Sequence, residues 1–275
     1  MAAPLRLVLL GQPVSHSLSP VFQNAALHAA GLEVRYDAVD VAPADLAATL
    51  HALVHEGAAG NVTVPHKERV ASLCDHLTPL ATRVGAVNTW WSVDGALHGD
   101  NTDVAGFDDA VLSLLGKVPV GARVAVLGAG GAARAAVAAV REWPGADLAI
   151  WSRTLERAAP LMALGPIGAT RVEEFMAHAL LGADLVVNAT PIGLRDDGVP
   201  VNPGLLRRGA AVLDMVYRRD GATPFVRLAR AAGHPADDGL RMLVAQGARA
   251  WARWFDIAPD RDVMWRAAAA ASGRG

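Results

Sequence analysis

The stretch from Arg123 to Glu142, R-V-A-V-L-G-A-G-G-A-A-R-A-A-V-A-A-V-R-E, leaves the chain few choices of fold. The apolar run Val124 to Leu127 has the length of a buried strand and stops abruptly at Gly128-Ala129-Gly130-Gly131. The alanine-rich segment after it favours helix. Glycines without Cβ let a backbone come close to a pyrophosphate, and the free N–H groups of a helix N-terminus face its negative charge. Gly128, Gly130 and Ala133 in the third-glycine place fit the dinucleotide pattern G-x-G-x-x-G/A. An ordinary strand-to-helix turn also uses glycines, so the rest of the chain has to decide between the two.

Beyond Glu142 the chain alternates in the same way. A strand is expected at Asp147 to Trp151, a helix from about Leu155 to Leu164, a weak strand at Ala169 to Val172 and a helix at Glu173 to Leu180. Strands at Asp184 to Val187 and Ala211 to Val216 come next, separated by the Pro191 to Gly204 loop. Such alternation predicts a doubly wound parallel sheet with right-handed crossovers. Composition agrees: 52% of residues are hydrophobic, many of them alanine, and 5% are aromatic, which favours helix-rich α/β over a β sandwich. About 20 residues past the glycines, where an NAD site carries an acid for the ribose hydroxyls, this chain has Trp151-Ser152-Arg153-Thr154. A guanidinium there can pair with a 2′-phosphate and stack on adenine, so the cofactor expected is NADP. Asn188-Ala189-Thr190-Pro191 and Asp214-Met215-Val216-Tyr217 place further polar groups at the same sheet edge.

The first hundred residues yield three more polar clusters at strand-to-helix junctions. Arg6 to Leu10 reads as a strand, Gly11 to Leu18 as a loop, and Ser19 and Pro20 as the cap and first position of a helix closed by Gly31. Ser15 and Ser17 are thereby expected near a positive helix end, where hydroxyl donors suit a carboxylate. Val34 to Val39 is a second strand and Ala44 to Val54 a helix. In Asn61-Val62-Thr63-Val64-Pro65-His66-Lys67, Asn61 and Thr63 share one strand face, and Lys67 falls in the first turn of a helix opened by Pro65. An ammonium is disfavoured there by the local dipole, which eases release of its proton, as acid/base work requires. His66 is read as structural. Asp94-Gly95 marks a hairpin, and Asp103 stands at or near the N-cap of a helix from Val104 to Leu115. Gly116 to Gly121 reads as a linker.

Near the end, Leu240 to Phe255 places Leu240, Leu243, Gly247, Trp251 and Trp254 on one helix face and Gln246, Arg249 and Arg253 on another. The alanine-rich tail from Trp265 is expected to fray into disorder. A formal net charge of -2 gives no electrostatic reason for nucleic acid or an anionic membrane. No apolar run has the length of a membrane span, and a single cysteine, Cys74, fits a reducing compartment, so cytoplasmic location is expected. No His, Cys and carboxylate cluster at ligand spacing points to a metal.

Taken together and in order, Gly11 to Pro20, Asn61 to Lys67, Gly85-Ala86-Val87-Asn88-Thr89, Asn101-Thr102-Asp103, Gly128 to Ala132, Asn188 to Pro191 and the Gln246 helix resemble the shikimate dehydrogenase family over nearly the whole chain. The resemblance implies a substrate-binding α/β domain at 1–103, a Rossmann NADP domain at 104–238, a helical return at 239–275, and a cleft between the domains. It also implies reversible reduction of 3-dehydroshikimate to shikimate by NADPH, a step toward chorismate and the aromatic amino acids. By resemblance, Ser15 and Ser17 hold the substrate carboxylate, while Asn61, Thr63, Asn88, Tyr217 and Gln246 contact its ring. Lys67 and Asp103 form the acid/base pair, Asp103 orienting the amine and keeping it charged. Gly128, Ala129, Gly130, Gly131 and Ala132 take the pyrophosphate; Ser152, Arg153, Thr154 and Arg157 the adenosine phosphate; Thr190, Met215 and Gly239 the nicotinamide side. Partners are small molecules, with a homodimer left open.

Three positions depart from the family pattern: Gln23 for histidine, Ser152 for asparagine and Gly247 for alanine. None removes a catalytic group. The rival readings are a quinate or quinate/shikimate dehydrogenase using NAD(P), and a nucleotide-sensing protein without turnover. Arg153 and the paired serines, Ser15 and Ser17, lean against the first, and the presence of both Lys67 and Asp103 against the second.

Overall fold

The structure is a computed structural model and describes residues 3–274. It divides into two compact units, Met1–Asp103 with Leu243–Gly275, and Val104–Met242.

The first unit contains β1 (Leu7–Gly11), α1 (Ser19–Ala29), β2 (Tyr36–Asp40), α2 (Leu46–His55), β3 (Ala59–Val62) and α3 (Lys67–Ala71). It continues with β4 (His76–Leu77), α4 (Pro79–Val84), β5 (Thr89–Val93) and β6 (Ala96–Asp100). They form one six-stranded sheet in the order β2-β1-β3-β5-β6-β4. β1 pairs in parallel with β2 and β3, whereas β5 runs antiparallel to both β3 and β6. The β5–β6 hairpin turns at Asp94 and Gly95, both with positive φ, as the Asp-Gly pair requires. Val8, Leu10, Leu50, Leu53 and Trp90 are among the residues packed between this sheet and its helices.

α5 (Asp103–Leu115) leads from the last residue of the first segment into the second unit, which contains β7 (Arg123–Leu127), α6 (Gly131–Val140), β8 (Asp147–Trp151), α7 (Leu155–Ala158) and β9 (Thr170–Glu173). Then come α8 (Met176–Leu180), β10 (Leu185–Asn188), β11 (Ala211–Asp214), α9 (Pro224–Ala231) and β12 (Ala236–Asp237). Its six strands are all parallel, in the order β12-β11-β10-β7-β8-β9. This is the doubly wound Rossmann arrangement. The chain winds from β7 outward through β8 and β9, then returns to β10 on the other side, so the direction of winding reverses between β7 and β10.

α10 (Leu240–Phe255) carries the chain from the second unit back into the first, and α11 (Arg261–Ala270) ends it there. No described helix is long and apolar enough to cross a membrane.

Several local expectations need correction. The tail is not frayed: Asp260 caps α11 by accepting from Asp262 and Val263 N–H, and Met264, Ala268 and Ala269 are buried, with α11 packed along α1. A run of alanines is uninformative by periodicity, yet it gives a smooth face for close helix packing. Gly275 lies outside the described residues. Ser19 is inside α1, which Leu18 precedes without any side-chain cap, and Ser17 Oγ accepts from the Ser19 N–H at 3.2 Å. The helix after Pro65 starts two residues later, at Lys67. β3 ends at Val62, so Val64 is 65% exposed instead of joining Val62 in the core. The helix expected from Leu155 to Leu164 tightens into a 3₁₀ turn at Ala159–Ala163, where Pro160 interrupts the α ladder.

Candidate functional site

At one edge of the first sheet the polar clusters converge. β1, β3 and β6 all end there, and β5 begins there, because β5 alone of the four runs the opposite way. Thr63 N–H donates to Leu10 O and Val62 N–H to Asn88 O, so the loops leaving β1 and β3 and entering β5 are tied side by side.

On this edge Lys67 Nζ donates to Asp103 Oδ2 at 2.6 Å. The pair is mostly shielded, with side-chain exposures of 15% for Lys67 and 5% for Asp103. An ammonium and a carboxylate this close and this dry are worth far more to each other than a surface pair, and each would be costly to leave alone. Asn88 joins them. Its Nδ2 lies 3.0 Å from Asp103 Oδ1, 3.0 Å from Gln246 Oε1 and 2.9 Å from Thr102 Oγ1, so two N–H groups are shared among three acceptors. Asn88 Oδ1 accepts from Thr102 N–H, and Gln246 Nε2 donates to Leu243 O. Gln246, which periodicity could place toward solvent or toward a cleft, is buried against Asn88.

Asn61 is buried one strand away, where Tyr36 Oη–H donates to its Oδ1 and its Nδ2 donates to Asn88 O. Thr63 is half-buried just beyond β3. His66 is buried, its Nε2–H donating to Val41 O at 2.7 Å, which is a structural bond. The serines divide differently from the expectation: Ser15 is exposed, whereas Ser17 and Ser19 are both buried at the start of α1. The residues nearest the positive end of that helix are therefore Ser17 and Ser19. Tyr36 is a member of this cluster that the sequence did not single out, while Ser19 was read only as a helix cap and Thr102 only as part of the Asn101-Thr102-Asp103 motif. Ser19 carried a signal, the S-x-S spacing directly before Pro20; Tyr36 carried none.

The second unit holds the remaining candidates. Gly128 has φ +119° and sits so close to the next loop that a Cβ would lie 2.8 Å from Ala189 O. Gly130 faces open space, with nothing within 4 Å of where its Cβ would be, and α6 starts at Gly131 without any side chain capping its N–H groups. Ala129 precedes that opening and Ala132 lies in the first turn. Such a cradle, without Cβ atoms at Gly128, Gly130 and Gly131 and with no side chain capping the start of a ten-residue helix, fits a pyrophosphate. At the end of β8, Ser152 is half-buried and its Oγ accepts from Thr154 N–H, while Arg153, Thr154 and Arg157 are exposed. Arg153 and Arg157 make no ion pair among the described residues, which leaves both guanidinium groups able to meet a phosphate.

Thr190 Oγ1 is 2.6 Å from Asn188 Oδ1, in a turn after β10. Met215 and Tyr217 are half-buried after β11. Gly239 packs under them: a Cβ there would lie 2.3 Å from Met215 O, so only glycine lets these loops meet. Asp214 at the end of β11 is fully buried, and burial pushes its carboxyl up to about 6 despite hydrogen bonds from Thr223, Val216 and Asn188.

A Rossmann sheet with an open glycine cradle, and a second α/β unit carrying a shielded Lys–Asp pair among buried amides, define a two-unit dinucleotide-dependent class. Comparison with known proteins narrows the class. Residues 9–90 match the model described as shikimate dehydrogenase substrate binding domain, and residues 239–269 that described as shikimate 5′-dehydrogenase C-terminal domain. The NADP(+) shikimate dehydrogenase of Rubrobacter xylanophilus is 45% identical, over 94% of this chain and 93% of its own. Among solved structures, shikimate 5-dehydrogenase from Thermus thermophilus in complex with NADP(H) and shikimate is 39% identical with a TM-score of 0.86, over 97% of this chain and 99% of that one. Shikimate dehydrogenase from Aquifex aeolicus is 34% identical with a TM-score of 0.88, over 97% and 98%. The chain belongs to the shikimate dehydrogenase family.

Proposed function

We propose that this protein is an NADP-dependent shikimate dehydrogenase, an oxidoreductase that interconverts 3-dehydroshikimate and shikimate in the route to chorismate and the aromatic amino acids. The observation that carries the chemistry is the 2.6 Å Lys67–Asp103 pair, set among buried amides at the edge of the first sheet. NADPH supplies the hydride when bound. As hydride reaches the carbonyl carbon, negative charge grows on the oxygen, and the Lys67 ammonium stabilises that charge and then gives up a proton to it. Asp103 holds the ammonium in line and takes part in the reverse direction by accepting its hydrogen bond as the proton returns to Nζ.

The ring of the substrate is held by Asn61, Thr63, Asn88 and Gln246, whose amide and hydroxyl groups line the polar edge of the first unit, and by Tyr217 of the second. Its carboxylate is assigned to Ser17 and Ser19, since these two lie at the start of α1 and Ser15 is exposed upstream of it. The pyrophosphate is assigned to Gly128–Ala132, the 2′-phosphate to Ser152, Arg153, Thr154 and Arg157, and the nicotinamide side to Thr190, Met215 and Gly239. The reading puts the protein in the cytoplasm, which suits a chain whose one cysteine, Cys74, can close no disulfide within it. Self-association into a homodimer is checked by light scattering.

The test is direct. Purified protein is mixed with NADP and shikimate, then with NAD and quinate, and reduced nicotinamide is followed. Turnover confined to the first pair supports the reading. Turnover only with quinate and NAD would make it a quinate dehydrogenase, and cofactor binding with no turnover in any pair would make it a sensor.

A further inference from the structure

In the second unit the reversal of winding between β7 and β10 marks a crevice at their C-terminal ends, the place where open parallel sheets bind ligands. One wall of this crevice is the glycine loop after β7; the other is the turn after β10, from Ala189 to Gly193. The two walls touch, since the Gly128 backbone lies against Ala189. Whatever fixes the second wall therefore sets the shape of the crevice.

The turn is held by Asn188. Its Oδ1 accepts from Thr190 N–H at 3.1 Å and from Thr190 Oγ1–H at 2.6 Å, and its Nδ2 donates to Ile192 O at 3.2 Å. Asn188 is held in turn by Asp214, whose Oδ1 accepts from the same Nδ2 at 2.8 Å and from Val216 N–H at 3.1 Å. Asp214 Oδ2 accepts from Thr223 Oγ1–H at 2.7 Å, and Thr223 caps α9 by accepting from Val226 N–H. Backbone bonds close the frame: Met215 N–H donates to Asn188 O, and Gly239 N–H to Val216 O.

None of the donors to Asp214 is charged, and its charged neighbour, Asp238, is an acid. A carboxylate buried among neutral donors is costly, and a well-packed apolar side chain would be the easier solution if filling space were the only need. A carboxylate does supply what an amide cannot: acceptor sites on both oxygens and no donor to be satisfied. With the amide of asparagine in its place, one N–H group would confront either the Thr223 hydroxyl or the Asn188 amide.

We propose that Asp214 is a positioning residue for the dinucleotide crevice: acting through Asn188, it sets the Thr190–Gly193 turn against the glycine loop and so tunes the affinity for the cofactor. The identity of the ligand as NADP(H) rests on the function proposed above; the geometry of the relay does not.

The experiment measures NADPH binding by fluorescence, with the Michaelis constant for shikimate and the circular dichroism of each variant. Asp214→Asn is expected to weaken NADPH binding about tenfold while the shikimate constant stays unchanged, the scale on which such relays act. Thr223→Ser, which keeps both hydrogen bonds of Thr223, is expected to bind NADPH as the parent does, and Thr223→Val to bind it several times more weakly. A folded Asp214→Asn that binds NADPH like the parent overturns the proposal. Should Asp214→Asn fail to fold, the Thr223 pair decides: equal affinity in serine and valine variants overturns it. Failure of the parent protein to bind NADPH would instead strike the proposed function, and is seen before any variant is made.

Discussion

Asp103 in the first unit and Asp214 in the second are both buried, yet they keep different company. Asp103 faces an ammonium, Lys67 Nζ at 2.6 Å, and shares the amide of Asn88. Asp214 faces a hydroxyl, an amide and a peptide N–H. The first arrangement sets a charged donor against the carboxylate at a sheet edge; the second sets only neutral donors against it, inside a frame that joins two loops. Burial of a carboxylate is thus not by itself a mark of catalysis. On the function proposed above, it is the partner that separates a carboxylate serving proton transfer from one holding a loop.

Four substitutions can break this contrast or make it sharper, with effects that diminish in turn. Asp103→Asn removes the charge that holds Lys67 and is expected to lower kcat about a thousandfold, in the range of general acid/base contributions, with NADPH binding unchanged. Steady-state rates and a binding titration on the same preparation check this; an equal loss of both would put Asp103 among the scaffold residues with Asp214.

For Asp214 the readout is stability against pH. Burial raises its carboxyl from 3.8 to about 6, so between those values the folded chain holds a proton that the unfolded chain has released. Stability therefore falls as pH rises through that window, by about 3 kcal/mol, and stays at the lower level above it. Asp214→Asn should flatten this dependence relative to the parent in urea unfolding. A parallel pair of curves would mean that the carboxylate titrates normally.

Arg153 gives a smaller effect, on cofactor choice. It is exposed at the end of β8 and free of ion pairs among the described residues, so Arg153→Ala is expected to weaken NADP binding some tens of times, about 2 kcal/mol, and NAD binding little. Equal losses for the two cofactors would remove it from the 2′-phosphate site. Gly247→Ala is the mildest. A Cβ there would lie 2.5 Å from Phe22 Cε2, in a buried ring that cannot swing away, and Gln23 Nε2 donates to the Gly247 carbonyl. Overpacking outweighs the helix propensity gained, for a net loss of about 1 kcal/mol in thermal unfolding; a stabilised variant would contradict this.

Much of the second unit was legible because its signals are local. Gly128 and Gly130 interrupt a strand-helix junction with spacing that few other turns share, and short apolar strands alternate with helices. The hairpin at Asp94-Gly95 was legible for the same reason. The first sheet was less so: its mixed order depends on β4, two residues long, and on which strands pair across large separations, and neither leaves a periodic trace. The Thr78-Pro79 start and Gly85 end of α4 carried the same cap signals as α1 and could have been read. At the site, Lys67 and Asp103 drew attention because each stands where an extended segment meets a helix, whereas Asn88 entered only through the family resemblance. Their union was not visible, since Asn88 and Gln246 meet across most of the chain. Asp214 looked like one more polar residue after a strand; only its neutral partners reveal its work.

Lys67→Met puts the assignment of the acid/base pair at greatest risk, because methionine is close to lysine in length and carries no charge. Turnover of shikimate with NADP should nearly vanish while both ligands still bind and the protein melts as a folded chain. Turnover at the parental rate, with ligand binding intact, would contradict the assignment of the Lys67–Asp103 pair as the acid and base of this enzyme.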